Sequence, residues 1–307
     1  MSKSTKILVG VLVVLGIIYA IQRITSTTST TQSSRPFAGI DTSKVESIHI
    51  DFGPQIDLQR SGGLWKITSP IRFDAATSQV NMLLSRVAAN PSATVVADNL
   101  SDSSAYGIGS SSPFLKLAEA NGKSVSVRVG DVSPDFNGCY IQLAGKNKIM
   151  ELSANIRTLV GQSLSNWREK KIFNFGTSEI EAADFALGDT LYHFFHRDTL
   201  WRVNGTDVPE MTARNVVESL VGTTALGFVD STIDESGTLV DFGITLSNRE
   251  HITGRIFELT EPKGSFPQIY LLNSANHQVY IVSSTLASDI EQALRMIYSD
   301  YLINKRS

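Results

Sequence analysis

The chain is expected to fold as an α+β protein. Two duplicated domains, each a mainly antiparallel sheet with two helices, would follow an N-terminal transmembrane helix. Three observations lead there. Short segments recur in the same order along the chain. Most of them alternate apolar and polar residues, the period of a half-buried strand. One run near the N-terminus is wholly uncharged and rich in Val, Leu and Ile.

The recurrence starts at Gly63-Leu64-Trp65-Lys66-Ile67-Thr68, which returns as Thr199-Leu200-Trp201-Arg202-Val203-Asn204, 136 residues later. The same offset carries Tyr106-Gly107-Ile108 onto Phe242-Gly243-Ile244. An offset of 130 carries Tyr140-Ile141-Gln142-Leu143 onto Tyr270-Leu271-Leu272-Asn273, and Ile149-Met150-Glu151-Leu152-Ser153 onto Val279-Tyr280-Ile281-Val282-Ser283. An offset of 135 carries Ser43-Lys44-Val45-Glu46 onto Ser178-Glu179-Ile180-Glu181. Ordered matches with small drift point to a duplication, with Trp65, Trp201, Gly107 and Gly243 as its markers. The expected division is an anchor at 1–24, a Ser/Thr-rich linker at 25–39, a first repeat at 40–175 and a second at 176–303. A length of 307 residues agrees with two domains of roughly 150.

Composition narrows the function classes. A formal charge of −3 does not make the basic field that nucleic acid requires. Apolar content of 42% is that of a globular chain and excludes wholesale disorder. The single cysteine, Cys139, permits no disulfide within the chain. Its neighbours Gly138, Tyr140 and Ile141 place it on a strand as a buried, inert thiol.

Taken in order, Ile7 to Ile21 is fifteen residues without a charge, between Lys6 and Arg23. It is long for a signal-peptide core and short for a span of about 20 residues. No Ala-x-Ala cleavage site follows it, so residues 7–22 are expected to remain as an uncleaved anchor, with a cleaved signal peptide as the alternative. Lys3 and Lys6 put the N-terminus in the cytoplasm and the bulk of the chain on the periplasmic or extracytoplasmic side of a bacterial membrane. Ser26 to Ser34 has no apolar period and reads as a tether.

Val45–Ile50 is the first expected strand. Ile56–Arg60 and Leu64–Ile67 form a hairpin around Ser61-Gly62-Gly63. Asp74 is the expected N-cap of a helix carrying Val80, Leu83, Leu84 and Val87. Gly107 is free to take positive φ in a turn. Two hairpins follow, one around Asn121-Gly122 and one around Ala144-Gly145-Lys146-Asn147. A helix over Ala154–Leu164 ends the first copy. In the second, strands at Ile180–Leu187, Leu191–His196, Leu200–Val203, Ile252–Leu259 and Gln268–Leu272 accompany a helix with Val216, Val217 and Leu220. The turns there fall at Pro262-Lys263-Gly264 and Asn273–Asn276, and the last helix at Ser288–Tyr298.

These landmarks resemble a known family. They are the short anchor, Trp65-Lys66-Ile67 with Pro70 behind it, Asp74 ahead of Leu83-Leu84 and Val87, and Tyr106-Gly107-Ile108 ahead of Pro113. Val127-Arg128-Val129-Gly130 ahead of Tyr140 and the segment Trp167-Arg168-Glu169-Lys170-Lys171-Ile172-Phe173 complete the set. Together they resemble domain-of-unknown-function family 4340, membrane-anchored bacterial proteins, over residues 40–175 and more loosely, as a second copy, over 176–300. The second copy departs where Thr206 replaces Pro70 and Glu210 replaces Asp74. The resemblance implies an association with ABC-type transporter components of the gliding-motility kind. It supplies no catalytic residues.

Nothing in the sequence forms a catalytic, cofactor or metal motif. His193 and His196 lie three apart on an expected strand, hence on opposite faces, with no close carboxylate or cysteine to complete a metal site. Gly109-Ser110-Ser111-Ser112 lacks the context of a nucleophile elbow, and there is no P-loop. Trp65 and Trp201 read as core aromatics; exposed, they would stack on sugar rings. The expected function is that of a non-enzymatic, membrane-anchored extracytoplasmic interaction or scaffold protein. Its partner would be an integral membrane protein such as an ABC-type transporter or a gliding-motility-like envelope complex. The alternative is a module that binds envelope glycan or another ligand, and a third class is an enzyme of unrecognised type.

Overall fold

The computed structural model describes residues 33–197, 200–233, 237–259 and 268–303. The apolar run at 7–22 and the turn at Pro262-Lys263-Gly264 lie outside them. Among the described residues no helix is long and apolar enough to cross a membrane. The chain divides into two compact units, Met1–Arg168 and Glu169–Ser307.

In the first unit, β1 (Ser33–Ser34), β2 (Val45–Asp51), β3 (Gln55–Ser61), β4 (Leu64–Ser69) and β5 (Phe73–Asp74) precede helix α1 (Thr77–Ala88). Then come β6 (Ala93–Ala97), β7 (Phe114–Glu119), β8 (Ser124–Val132), β9 (Cys139–Leu143) and β10 (Ile149–Leu152), followed by α2 (Arg157–Val160) and α3 (Leu164–Trp167). They form one antiparallel sheet in the order β1-β6-β10-β9-β8-β7-β2-β3-β4-β5. The second unit holds β11 (Ile180–Leu187), β12 (Thr190–Arg197), β13 (Leu200–Val203) and β14 (Thr206–Val208), then α4 (Glu210–Val221). After it come β15 (Gly227–Val229), β16 (Thr238–Leu246), β17 (His251–Glu258), β18 (Ile269–Asn273), β19 (Gln278–Val282) and α5 (Leu286–Ile297). Its sheet order is β14-β13-β12-β11-β16-β17-β18-β19-β15.

Read from β5 and from β14, the two orders are the same, strand for strand, until β1 adds one more to the first sheet. Details match as well. A single 3-10 turn, Thr42–Lys44 or Thr177–Glu179, leads into the central strand of each sheet. Asp41 starts the first of these turns. The Ser43 hydroxyl, the Lys44 ammonium and the Ser43 amide hold its carboxyl down at about 2. An irregularity then interrupts each central ladder at its start, at Val45/Ser47 and at Ile180/Ala182.

Alternation explains the layers. In β4, Trp65 and Ile67 turn inward while Leu64 and Lys66 face out; in β13, Trp201 and Val203 do the same. Trp65 is 5% exposed and Trp201 2%. In the first unit the inner face closes under Val80, Leu83 and Val87 of α1, which recur at helical spacing. In the second, α4 buries Val216, Val217 and Leu220, and α5 buries Ile290 and Leu294. Trp201 also meets the Phe194 edge at 6.4 Å and stacks on His196 at 4.4 Å.

Four expectations need correction. Asp74 is not the helix N-cap. It pairs in β5 with Lys66 of β4, and α1 starts after Ala76, whose amide donates to the Trp167 carbonyl. The continuous helix expected over Ala154–Leu164 is two four-residue turns, α2 and α3. Gly161 closes the first by donating to the Arg157 carbonyl, and its own added Cβ would crowd that oxygen at 2.9 Å. The linker expected over 25–39 ends early. Ser33 and Ser34 pair with Thr94 and Ala93, and Phe37 is 2% exposed in the core. Backbone pairing needs no apolar side chain, so a run of serines can supply an edge strand.

Finally, Gly107 and Gly243 are not equivalent. Gly107 follows a 3-10 turn at φ +65°, whereas Gly243 lies inside β16, opposite Asp184, at the place Lys116 holds in β7. The shared aromatic-Gly-Ile spelling therefore falls at different places in the two units.

Truncating Trp65 or Trp201 to alanine is expected to remove roughly 3–5 kcal/mol from the unit that holds it. Urea unfolding of each variant, followed by far-ultraviolet circular dichroism, measures this.

Candidate functional site

With one face of each sheet under helices, the chemistry available to a ligand lies on the other face. In the first unit it centres on His49. The Asp51–Gln55 turn pairs β2 with β3 so that His49 stands opposite Asp57, and β7 puts Lys116 on its other side. His49 Nδ1 and Asp57 Oδ1 are 2.6 Å apart, with both side chains about a third exposed. Gln55 Nε2 donates to the other Asp57 oxygen at 3.0 Å. Phe114 meets the imidazole edge-on at 6.1 Å. Around this pair runs a groove of about 620 Å³ that includes Ser47, Thr68, Lys116 and Ser126. The volume is in the range of small-molecule sites.

Asp, His and Ser therefore share one groove, but they do not form a relay. Ser126 is opposite Lys116, two strands from His49. Two strand spacings are roughly 9–10 Å, beyond the reach of a hydroxyl–imidazole hydrogen bond. What the row offers is an imidazole held by a carboxylate, an ammonium and several hydroxyls, a set suited to polar recognition.

The second unit carries the same pair with the residues exchanged. Asp184 on β11 faces His193 on β12, with Nδ1 and Oδ1 again 2.6 Å apart. Gly243 replaces Lys116, and the His251 ring leans over it, held by its own 3.0 Å contact to Thr245. Arg202–Asp207 likewise matches Lys66–Asp74 between the next two strands. Each of these pairs is partly exposed, where ion pairs contribute little to stability.

The remaining sequence candidates are accounted for. His193 faces outward while His196 stacks on the inward Trp201, so the two histidines do lie on opposite faces of β12. The absence of a close carboxylate was a misreading, because Asp184 touches His193; even so, no group of three metal-ligating residues forms among the described residues. The Ser112 hydroxyl is tied to Gly109, donating to its carbonyl and accepting from its amide. Cys139 is fully buried and its thiol points at the Ala154 carbonyl, 3.4 Å away. Both His–Asp pairs escaped the sequence reading. Counting outward from the turns at Gly53 and Gly188, which both take positive φ, would have put each imidazole opposite its carboxylate.

The architecture defines a class: paired antiparallel sheet units of one strand order, each with helices on one face and a polar opposite face. The chain belongs to the family described as Domain of unknown function (DUF4340), whose model matches residues 65–240. That match runs from β4 of the first unit into β16 of the second, rather than coinciding with one unit. No curated protein and no solved structure is similar to the chain.

Burial pushes the Cys139 thiol pKa up. The folded protein therefore holds it protonated where an unfolded chain would ionise. This contribution to stability is complete below the ordinary thiol range and is lost as pH rises from there through the raised value of the folded state. At pH 8, iodoacetamide is expected to leave the native thiol unlabelled and to alkylate it in urea, as read by mass spectrometry.

Proposed function

We propose that this protein is a non-enzymatic contact protein, held by residues 7–22 on the outer face of a bacterial cytoplasmic membrane. There it serves as an accessory or scaffold subunit of an integral membrane complex, an ABC-type transporter or a gliding-motility-like assembly. One observation carries the reading. What the two units share most fully is architecture, while their exposed chemistry is kept only in part, as an imidazole–carboxylate pair and a cation–carboxylate pair. Strand order, the leading 3-10 turn, the ladder irregularity and the buried tryptophan recur. Lys116 against Gly243, and the exchange of His and Asp, mark where they differ. Such a pattern suits one ancestral domain, duplicated and kept for its shape. Tethering by a short polar segment then raises the local concentration of these surfaces beside an integral partner.

A chain lacking residues 1–32, exported to the same compartment, is expected to fold but to lose co-purification with its partner and the associated phenotype. Full activity from that soluble form sinks the proposal.

A second reading rests on the His49 groove. Its hydroxyls and imidazole suit a hydroxyl-rich ligand such as an envelope glycan. Titration with muropeptides or neutral oligosaccharides, monitored by calorimetry, is expected to give binding that His49→Ala and Lys116→Ala each reduce about tenfold. Absence of heat with every glycan tested removes this reading.

A further inference from the structure

The β8–β9 loop, residues 133–138, displays one aromatic side chain in a way the fold itself does not need. Phe136 is 79% exposed, the most exposed of the large hydrophobic residues described. Its backbone lies at φ +62°, in the left-handed region. For a bulky residue this conformation is an outlier, normally occupied by glycine. Left-handed backbone disfavours an L side chain, because Cβ crowds the following carbonyl oxygen. Burial of the ring does not compensate, because the ring is in solvent.

The surrounding hydrogen bonds hold the backbone in place. The Phe136 amide donates to the Ser133 carbonyl at 2.9 Å, and Asn155 Nδ2 donates to the Phe136 carbonyl at 3.4 Å. The Ser133 hydroxyl donates to Asp135 Oδ1 and accepts from the Gly138 amide at 2.9 Å. Asp135 Oδ1 also accepts from the Asn137 amide, and its Oδ2 from Asn137 Nδ2. Ser133 itself is buried, and a Cβ at Gly138 would stand 2.3 Å from the Leu152 carbonyl oxygen. The loop is over-determined, the condition under which local strain persists at functional sites. A side chain fixed before contact loses little freedom on binding.

Charge indicates what the aromatic meets. Between Arg128 and Lys146 the chain contains Asp131 and Asp135 and no cation. The Ser133 hydroxyl, with the Asn137 amide and side chain, lowers the Asp135 pKa, so this carboxylate stays ionised beside the ring. A carboxylate on the residue next to the aromatic is repelled by an anionic lipid surface and complements a basic protein rim.

We propose that Phe136 is a preformed anchor that inserts into an apolar pocket of a partner protein, with lysine or arginine at the pocket rim opposite Asp135. This rests on the contact-protein reading above and names the surface that makes the contact. Buried aromatic anchors of this kind commonly dominate interface energetics.

The test uses the full chain in its native membranes with a benzoylphenylalanine photocrosslinker at position 136. One discrete protein adduct is expected, mapped to an apolar segment with adjacent lysine or arginine. Asp135→Lys should cut the adduct at least tenfold, and reversing the adjacent basic residue of the partner to glutamate should restore it. Asp135→Asn, which keeps an acceptor for Ser133 and Asn137, checks that loss of charge rather than loop collapse is responsible; it should weaken the adduct in the same direction. Phe136→Gly should leave Tm unchanged or raised while abolishing the adduct's partner from co-purification, because relief of left-handed strain offsets the freedom glycine adds to the unfolded chain.

A lipid adduct, an adduct to a second copy of this chain, no adduct, or indifference to the Asp135 variants overturns the proposal. So does a fall in Tm for Phe136→Gly, which would make the ring a packing element. Crosslinkers at exposed Leu64 and Met211 separate the two levels of the argument. A partner captured there but not from position 136 refutes the anchor alone. No partner from any of the three positions refutes the contact-protein reading as well.

Discussion

Everything in each unit depends on the register of strands whose side chains alternate with period two. Shifting β4 by one residue against β3 would expose Trp65 and Ile67 and bury Lys66, reversing the whole strand at once. The same holds for β13, with Trp201 and Arg202. Burial of the large aromatic makes the correct register favourable, and desolvation of the cation makes the wrong one unfavourable. The cross-strand pairs on the outer face reinforce this choice weakly but in the same sense, because each carboxylate meets its imidazole or cation only in the native alignment.

Position within the sequence decided what could be read from it. Hairpins closed by turn glycines were readable to within about three residues, as at Gly62-Gly63 and Gly122, because both the turn and the alternation are local signals. The segments matched at an offset of 130 hold corresponding places in the two sheets, along β9 and β10 and along β18 and β19. Long-range choices escaped. Asp74 has the chemistry of an N-cap, yet Lys66 was available across the ladder, and the Trp167 carbonyl already took the helix amide. Ile156, Leu159, Val160 and Trp167 have helical spacing, yet all are buried while the backbone breaks between them. Burial on several sides erases the difference between a helix face and a pinned loop.

The candidate site follows the same division. Residue types were visible: His49, His193, Lys116 and Asp184 are plain in the sequence. Which faces which is a property of pairing between strands, and this was resolved only in three dimensions. Phe136 is the extreme case. Val132-Ser133-Pro134-Asp135-Phe136-Asn137-Gly138 spells an ordinary polar turn with one aromatic, and neither its left-handed backbone nor its exposure leaves a periodic trace.

The two-residue strand at the border of the first sheet has a mechanical consequence. Ser33 and Ser34 join the sheet through their pairing with β6, and the Ser34 hydroxyl also donates to Met150 Sδ at 3.5 Å. Phe37, three residues on, is locked in the core. Any tension reaching the first unit through the chain ahead of Ser33 meets that short ladder first. A few backbone hydrogen bonds yield and reform readily, since each has a net worth of only about 1 kcal/mol in water. Beyond them the load arrives at a buried aromatic ring, whose withdrawal exposes apolar surface and is far less favourable. Under such load the border strand would peel away first and leave the sheet behind it undisturbed.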